Sequence, residues 1–219
     1  NRDAQPEDLS RQIPLLHEFL EAIRIPLVEV QDFEADDVIA TLVKQAPEDA
    51  RVSIISTDKD LMQLVGERVQ LVDLGKQRRY GPEEVEARFG VPPGQILDLR
   101  ALVGDPSDNI PGVKGIGQKG AAKLITEWET LENLLDHIDD VTPTRAQTAL
   151  TNYATDARLS KELSTLRADI EIPIEVADLT LPSPDVEQLR ELYERFRFTR
   201  LLEALSDDGG GAPSAGDEH

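Results

Sequence analysis

Apolar residues at Leu9, Ile13, Leu16, Phe19, Leu20 and Ile23 recur at helical spacing and predict a helix with one buried face over residues 9–23. Pro14 lies inside this pattern, which places the start of the helix near Ile13, where proline suits a first turn. Residues 27–30, Leu-Val-Glu-Val, are short and apolar and predict a strand. Residues 35–45 return to helical spacing, with Val38, Ile39, Leu42 and Val43 toward a core. The run 52–56 is almost continuously apolar, as expected of a buried parallel strand. A short helix over 61–65, a strand over 69–72 and a basic turn or hairpin over 76–80 follow. A helix over 82–89 has Pro82 at its start and Gly90 just past its end, and a further helix covers 95–103. Strands and helices alternating in this way predict an α/β unit built on a parallel sheet.

Past Gly104 the strand signals stop. Helical spacing covers 119–128, 131–137, 144–152, 155–165 and 186–196, with one alternating, extended stretch at 170–176. Residues 206–219 are Gly, Asp, Ser and Pro with almost no apolar content, the composition of a disordered linker. Three regions are therefore expected: an α/β core over 1–104, a helical region over 105–205 and a linker over 206–219.

With 219 residues, 39% of them hydrophobic, the chain is long enough to bury a core. No apolar run approaches the roughly 20 residues of a membrane span. There is no cysteine, which excludes disulfides and thiolate-bound zinc, and the cytoplasm is the expected compartment. The histidines His17, His137 and His219 show no ligand spacing. The net charge of -20 argues against a nucleic-acid partner unless basic residues are concentrated locally.

The acid itself is clustered. Glu34-Ala35-Asp36-Asp37 opens a predicted helix, Thr57-Asp58-Lys59-Asp60 follows a predicted strand, and Gly104-Asp105-Pro106-Ser107-Asp108-Asn109 closes the α/β part. Each has an ordinary reading, as helix caps, a polar loop and an Asp-Pro turn. Together they suggest a cation site. Two unit charges about 4 Å apart repel by roughly 4 kcal/mol at an effective dielectric of about 20, so converging carboxylates favour protonation or bound metal. Glu34 and Asp37 share a helix face, and Asp58 and Asp60 lie beyond a strand's carboxyl end, where open α/β sheets bind ligands. Lys59 is either a solvated charge or a phosphate contact.

The third cluster runs into Ile110-Pro111-Gly112-Val113-Lys114-Gly115-Ile116-Gly117, then Lys119 and Lys123. No acid interrupts residues 112–126. This glycine turn with Lys114, Gly115, Gly117, Lys119 and Lys123 resembles a helix–hairpin–helix, an element that grips the DNA backbone without reading bases. Lys76, Arg78 and Arg79 make a second basic cluster, for which a solvated turn is the simpler reading.

Taken in order, residues 33–40, 56–61, 80–85, 104–117 and 196–202 resemble the 5′ nuclease family of bacterial DNA polymerase I enzymes, within the flap-endonuclease superfamily. The likeness covers nearly all of residues 5–205. It implies a parallel-sheet nuclease core of the PIN/FEN type followed by a helical DNA-binding region. It implies 5′-3′ exonuclease and flap-endonuclease activity in replication and repair, including removal of Okazaki primers. Glu34, Asp36, Asp37, Asp58, Asp60, Asp105 and Asp108 match the family's metal-site carboxylates, with Asp36, Asp37, Asp58 and Asp60 as the catalytic set. The implied cofactors are two Mg2+ or Mn2+ ions, and a K+ at the hairpin for which Ser107 is the candidate ligand. The implied partners are DNA with 5′ flaps, nicks or branches and a covalently linked polymerase domain, in a monomeric bacterial protein at the nucleoid.

The family's early aspartates, first strand and basic helical arch do not occur in residues 1–219, so the resemblance implies that the matching part begins past the arch. A DNA-backbone-binding module without catalysis is therefore the alternative. A phosphotransferase using Asp58-Lys59-Asp60 is a third reading.

Overall fold

The structure is a computed structural model that describes residues 6–207. It separates into two compact units, one formed by Val30–Glu171 and the other by Asn1–Glu29 with Ile172–His219.

In the larger unit, β1 (Val52–Ile55), β2 (Val69–Asp73) and β3 (Arg78–Tyr80) form one sheet in that order. β1 and β2 are parallel, with Val52 opposite Val69 and Ile55 opposite Val72. β3 returns antiparallel, with Asp73 opposite Arg78 and Leu71 opposite Tyr80. The sheet is therefore mixed, parallel only in its first pair. The basic stretch 76–80 is the hairpin that reverses it. Asp73 fixes that turn by accepting hydrogen bonds from the Lys76 amide and ammonium, both at 3.0 Å.

β1 does not have the burial expected of it. Ile54 is buried against the core, but Ile55, on the opposite face of the sheet, is 66% exposed because nothing among the described residues covers it. Residues 27–30 are not a strand either. A strand needs a ladder partner, and none of the three described strands pairs with them. Residues 170–176 alternate in burial as expected but join no ladder.

α2 (Ala35–Gln45) packs beside the sheet, and a 3-10 turn over Asp60–Leu64 follows β1. α3 (Pro82–Phe89) begins with proline, and the Glu84 carboxylate accepts the Gly81 amide at 2.9 Å. It ends at Gly90, whose φ of 81° is the left-handed conformation that glycine adopts at little cost. α4 (Ile96–Val103) is the central helix, with Ile96, Leu99, Ala101 and Leu102 buried. Around it lie α5 (Gln118–Trp128), α6 (Leu131–Asp136) and α7 (Thr144–Ser164). α7 joins what the pattern divided into two helices, with a non-helical Tyr153 (φ -124°, ψ 19°) at the junction. One hydrophobic cluster runs from Ile54 and Leu71 through Leu102 to Leu150 and Ala157, so residues on both sides of Asp105 share a core.

The smaller unit packs α1 (Glu7–Ala22) against α8 (Val186–Phe196) and α9 (Thr199–Asp207) around Ala22, Leu189, Leu192 and Tyr193. α1 begins at Glu7 rather than near Ile13 and carries Pro14 inside it. Pro6 at the N-cap and the acidic first turn of Glu7 and Asp8 start the helix early, where the dipole favours negative charge. Asp185 caps α8 through the Gln188 amide at 3.1 Å, and its own amide donates to the Ala22 carbonyl at 2.7 Å. Ser206 and Asp207, expected in the linker, close α9; the rest of that stretch lies outside the described residues.

Two glycines fix the way out of α4. Gly104 (φ 72°) and Gly112 (φ 62°) lie back to back. A Cβ on Gly112 would stand 2.5 Å from the Gly104 nitrogen, and one on Gly104 would stand 2.6 Å from the Ile110 carbonyl oxygen. The loop between them is closed by Asp105 N–H to the Ile110 carbonyl at 2.9 Å and Ile110 N–H to the Asp105 carbonyl at 2.8 Å. Alanine at Gly112 meets backbone that cannot yield and a conformation that costs L-residues about 1–2 kcal/mol. Gly112→Ala is expected to lower unfolding stability by more than about 2 kcal/mol in urea titration, whereas Gly117→Ala, which meets nothing within 4 Å, should cost less than about 1 kcal/mol.

Candidate metal centre and nucleic-acid interface

The first two acidic clusters lie at element ends. Glu34 is the N-cap of α2, where its side chain caps nothing, and Asp36 and Asp37 lie in the first turn. Asp58 and Asp60 follow the carboxyl end of β1, and the Asp58 carboxylate accepts the Asp60 amide at 2.9 Å. Asp105 begins the glycine-closed loop and is 3% exposed.

The fold couples these groups electrostatically. Burial, then Asp58, Glu34 and Asp37, raise the Asp36 carboxyl above the usual range. Burial, opposed by Arg100 and reinforced by Asp58 and Asp105, pushes Asp60 up to about 6. A line of interacting carboxylates thus runs from Asp36 through Asp58 and Asp60 to Asp105. Asp108 is exposed on the loop. Among the described residues no three acidic or histidine side chains stand close enough to hold an ion as they are.

Two cations are interleaved with these acids. Arg100, buried on α4, places Nη1 2.5 Å from Asp60 Oδ1 and donates from Nη2 to Asp60 Oδ2 at 2.9 Å and to Asp105 Oδ2 at 3.4 Å. Lys59 Nζ stands 2.6 Å from Asp105 Oδ2, so this lysine faces the acids. Burial alone would raise Asp105, but hydrogen bonds from the Lys59 ammonium and the Ser107 hydroxyl and amide outweigh it and hold the carboxyl down at about 2. The Ser107 hydroxyl donates to Asp105 Oδ1 at 2.5 Å. Asp36, Asp58 and Glu34 form no ion pair among the described residues.

Sequence reasoning missed Arg100. The signal was a charged residue in a mostly apolar helix, whose other charge is Asp98, because a buried charge requires a partner. It also missed the second task of Asp37, whose Oδ1 accepts the Arg167 amide at 2.8 Å from the segment that follows α7.

The glycine turn stands beside this cluster in the chain. Val113 and Ile116 are buried and anchor it, while Lys114, Gly115, Gly117, Lys119 and Lys123 are exposed. The turn requires glycine at Gly115 (φ 96°). Gly117 has an ordinary φ and no Cβ contact within 4 Å, so its surface is open to close approach. It caps α5 with no side chain, leaving the first-turn amides directed outward. Lys114, Lys119 and Lys123 form no ion pair among the described residues. A cavity of about 280 Å³ adjoins the turn, lined by Gly115, Gly117, Lys123, Thr142 and Arg145 among others.

The model of the 5'-3' exonuclease N-terminal resolvase-like domain matches residues 1–90, and that of the 5'-3' exonuclease C-terminal SAM fold matches residues 91–187. The chain belongs to the 5'-3' exonuclease family. Curated relatives include the thermostable DNA polymerase I of Thermus thermophilus, 43% identical over 202 residues, and the DNA polymerase I of Bacillus subtilis, 38% identical over 216 residues. These alignments cover 92% and 96% of this chain but 24% of each relative, so this 5'-3' exonuclease chain spans about a quarter of their length. Among solved structures, the T5 5'-exonuclease with bound zinc matches with a TM-score of 0.64 at 22% identity, over 90% of this chain and 72% of that one. The catalytic core of Rad2 with DNA substrate matches with a TM-score of 0.62 at 19% identity, over 93% of this chain and 71% of that one. Both likenesses bear out the expected nuclease-type fold.

Asp60 gives this 5'-3' exonuclease chain a signed pH dependence. Its folded-state pKa of about 6 lies above the ordinary 3.8, so the stability that protonation gives the fold is lost as pH rises through about 6. In metal-free protein, Asp60 is expected to hold its proton at pH 5 and to have lost it by pH 7.5, a titration that carbon-13 NMR of its carboxyl group checks directly.

Proposed function

We propose that this chain contributes to a divalent-metal-dependent nuclease site that cuts DNA at 5′ ends and flaps. The observation that carries the reading is the electrostatic line of carboxylates from Asp36 to Asp105, continued in the chain by an exposed, acid-free glycine turn. The donor set suits a cation. It is oxygen only, as hard ions such as Mg2+ and Mn2+ prefer, and Asp36 is raised by burial and then by three neighbouring acids, with no basic group offsetting them. Glu34, Asp36, Asp37, Asp58, Asp60, Asp105 and Asp108 are the proposed ligands, with Asp36, Asp37, Asp58 and Asp60 closest to the chemistry. These carboxylates would hold a pair of divalent ions, which would supply an activated water and offset charge on the phosphodiester. Lys59 and Arg100 hold Asp105 and Asp60 in place meanwhile.

Lys114, Gly115, Gly117, Lys119 and Lys123 are the proposed DNA grip, through phosphates rather than bases, with K+ near Ser107 as a further proposed ligand. This reading assigns residues 1–104 to the metal-site core, 105–205 to the DNA-binding region and 206–219 to a linker. It also assigns the chain to a monomeric, nucleoid-associated bacterial DNA polymerase I acting in primer removal and repair. No helix among the described residues is long and apolar enough to cross a membrane.

A second reading, backbone binding without catalysis, is favoured by one observation: Asp60 and Asp105 are already neutralised by Arg100 and Lys59.

Cleavage of a 5′-flap duplex with magnesium by the full-length natural protein separates the two. Asp58→Ala and Asp36→Ala are each expected to lower the single-turnover rate by roughly a hundredfold or more while leaving DNA affinity within about threefold. Wild-type rates in both variants would sink the metal assignment. Lys119→Ala with Lys123→Ala should weaken binding of every duplex alike and flatten the slope of log K against log salt by about two.

A further inference from the structure

We infer that α7 acts as a strut between the DNA grip and the acidic cluster, and that Ser160 is the positioning residue that fastens it to the grip. The inference rests on the reading of this chain as a nuclease domain.

α7 meets the glycine turn at its beginning. Thr142, Pro143, Arg145 and Ala146 share the 280 Å³ cavity with Gly115, Gly117 and Lys123. Further along, Ser160 is 0% exposed, and its Oγ accepts the Gly112 amide at 2.9 Å. Gly112 is the glycine packed against Gly104, so this bond holds the root of the turn rather than its solvent-facing tip. Beside it, Lys161 Nζ stands 2.6 Å from Asp98 Oδ1 on α4, and the same Asp98 oxygen accepts the Leu131 amide at 3.1 Å.

The far end of α7 is tied to the acidic elements. Gln63 donates to the Asp60 carbonyl at 2.9 Å and to the Ser164 carbonyl at 3.0 Å, and its Oε1 accepts the Leu166 amide at 3.4 Å. Asp37 accepts the Arg167 amide at 2.8 Å, and the Thr41 hydroxyl donates to the Arg167 carbonyl at 3.4 Å. The helix is thus hydrogen-bonded to the turn at Gly112 and to Gln63 of the Asp60 segment, and the residues that follow it, within seven of Ser160, reach the segment bearing Asp37. Between Ala146 and Ser164 the helix carries one interruption, the non-helical Tyr153. Its core positions Leu150 and Ala157 are fully buried, so the strut is packed along its length.

The consequence is a fixed distance between where the backbone is held and where it is cut. A serine suits position 160 because a small hydroxyl reaches a buried amide there without displacing the helix. Alanine leaves the Gly112 amide buried without an acceptor.

The test uses the full-length natural protein on an end-labelled 5′-flap duplex, reading DNA affinity, kcat, KM and the distribution of cut positions. Ser160→Ala is expected to raise Kd and KM by about five- to tenfold, leave kcat at saturating DNA within about twofold, and spread cleavage from one phosphodiester to its neighbours. The Mg2+ concentration for half-maximal rate should not move. Wild-type affinity and a single cut position in Ser160→Ala, even with a lowered melting midpoint, would make Ser160 a packing residue only and overturn the inference. If Ser160→Ala does not fold, Gln63→Met releases the other end of α7 and is read for cut position alone: spreading supports the strut, and a single wild-type cut overturns it. A wild-type protein that cuts no flap fails the nuclease reading itself, whereas wild-type cleavage with an unchanged variant fails only the strut.

Discussion

Arg100 is the buried cation around which the acidic region is assembled. Its guanidinium stands between Asp60, which follows the first strand, and Asp105, which begins the loop out of the central helix. Without it two carboxylates from segments 45 residues apart would face one another in a site where burial works against the charge of both. Removing one partner of such an arrangement leaves an uncompensated buried charge, so Arg100 is as much a condition of the fold as of any chemistry performed there. Its planar fork reaches two acids at once, which a lysine's single ammonium does less well. The adjacent Lys59 takes the outer side of Asp105, and together the two cations decide which acids are satisfied by the protein and which still lack positive charge.

That division separates the acidic residues into two kinds. Asp105 is held far below the usual carboxylate range by Lys59 and Ser107, so the protein already meets part of its charge. Asp36 is raised by burial and by three other acids, and it has the unmet demand for a cation. The same sequence motif of clustered carboxylates therefore contains acids that the protein has already partnered and acids that it has not. Only the placement of basic neighbours tells them apart.

What the sequence made legible follows from how local each determinant is. The bounds of α2 and α3 could be read from apolar spacing, an N-terminal proline and a left-handed glycine, all within a few residues of the element they define. The glycine turn was legible for the same reason. Strand status was not: residues 27–30 have strand composition but no ladder, and β1 has the apolar run of a central strand yet lies at an edge. Pairing is decided by segments distant in sequence. The Arg100 bridge, the Asp37 bond to Arg167 and the Ser160 bond to Gly112 span 40, 130 and 48 residues, and no periodicity encodes such contacts. The acidic clusters could be seen individually, but their coupling through Asp58 appeared only in three dimensions.

The excess of acid has a consequence beyond the site. A chain of net charge -20 repels any polyanion over most of its surface, and the repulsion extends about a Debye length, roughly 8 Å at physiological salt. Against that background the unpaired lysines of the glycine turn form a small attractive window. A polyanion that approaches an acidic face meets repulsion before it meets a contact. The sign of the surface thereby restricts the faces open to such a molecule before any hydrogen bond has formed.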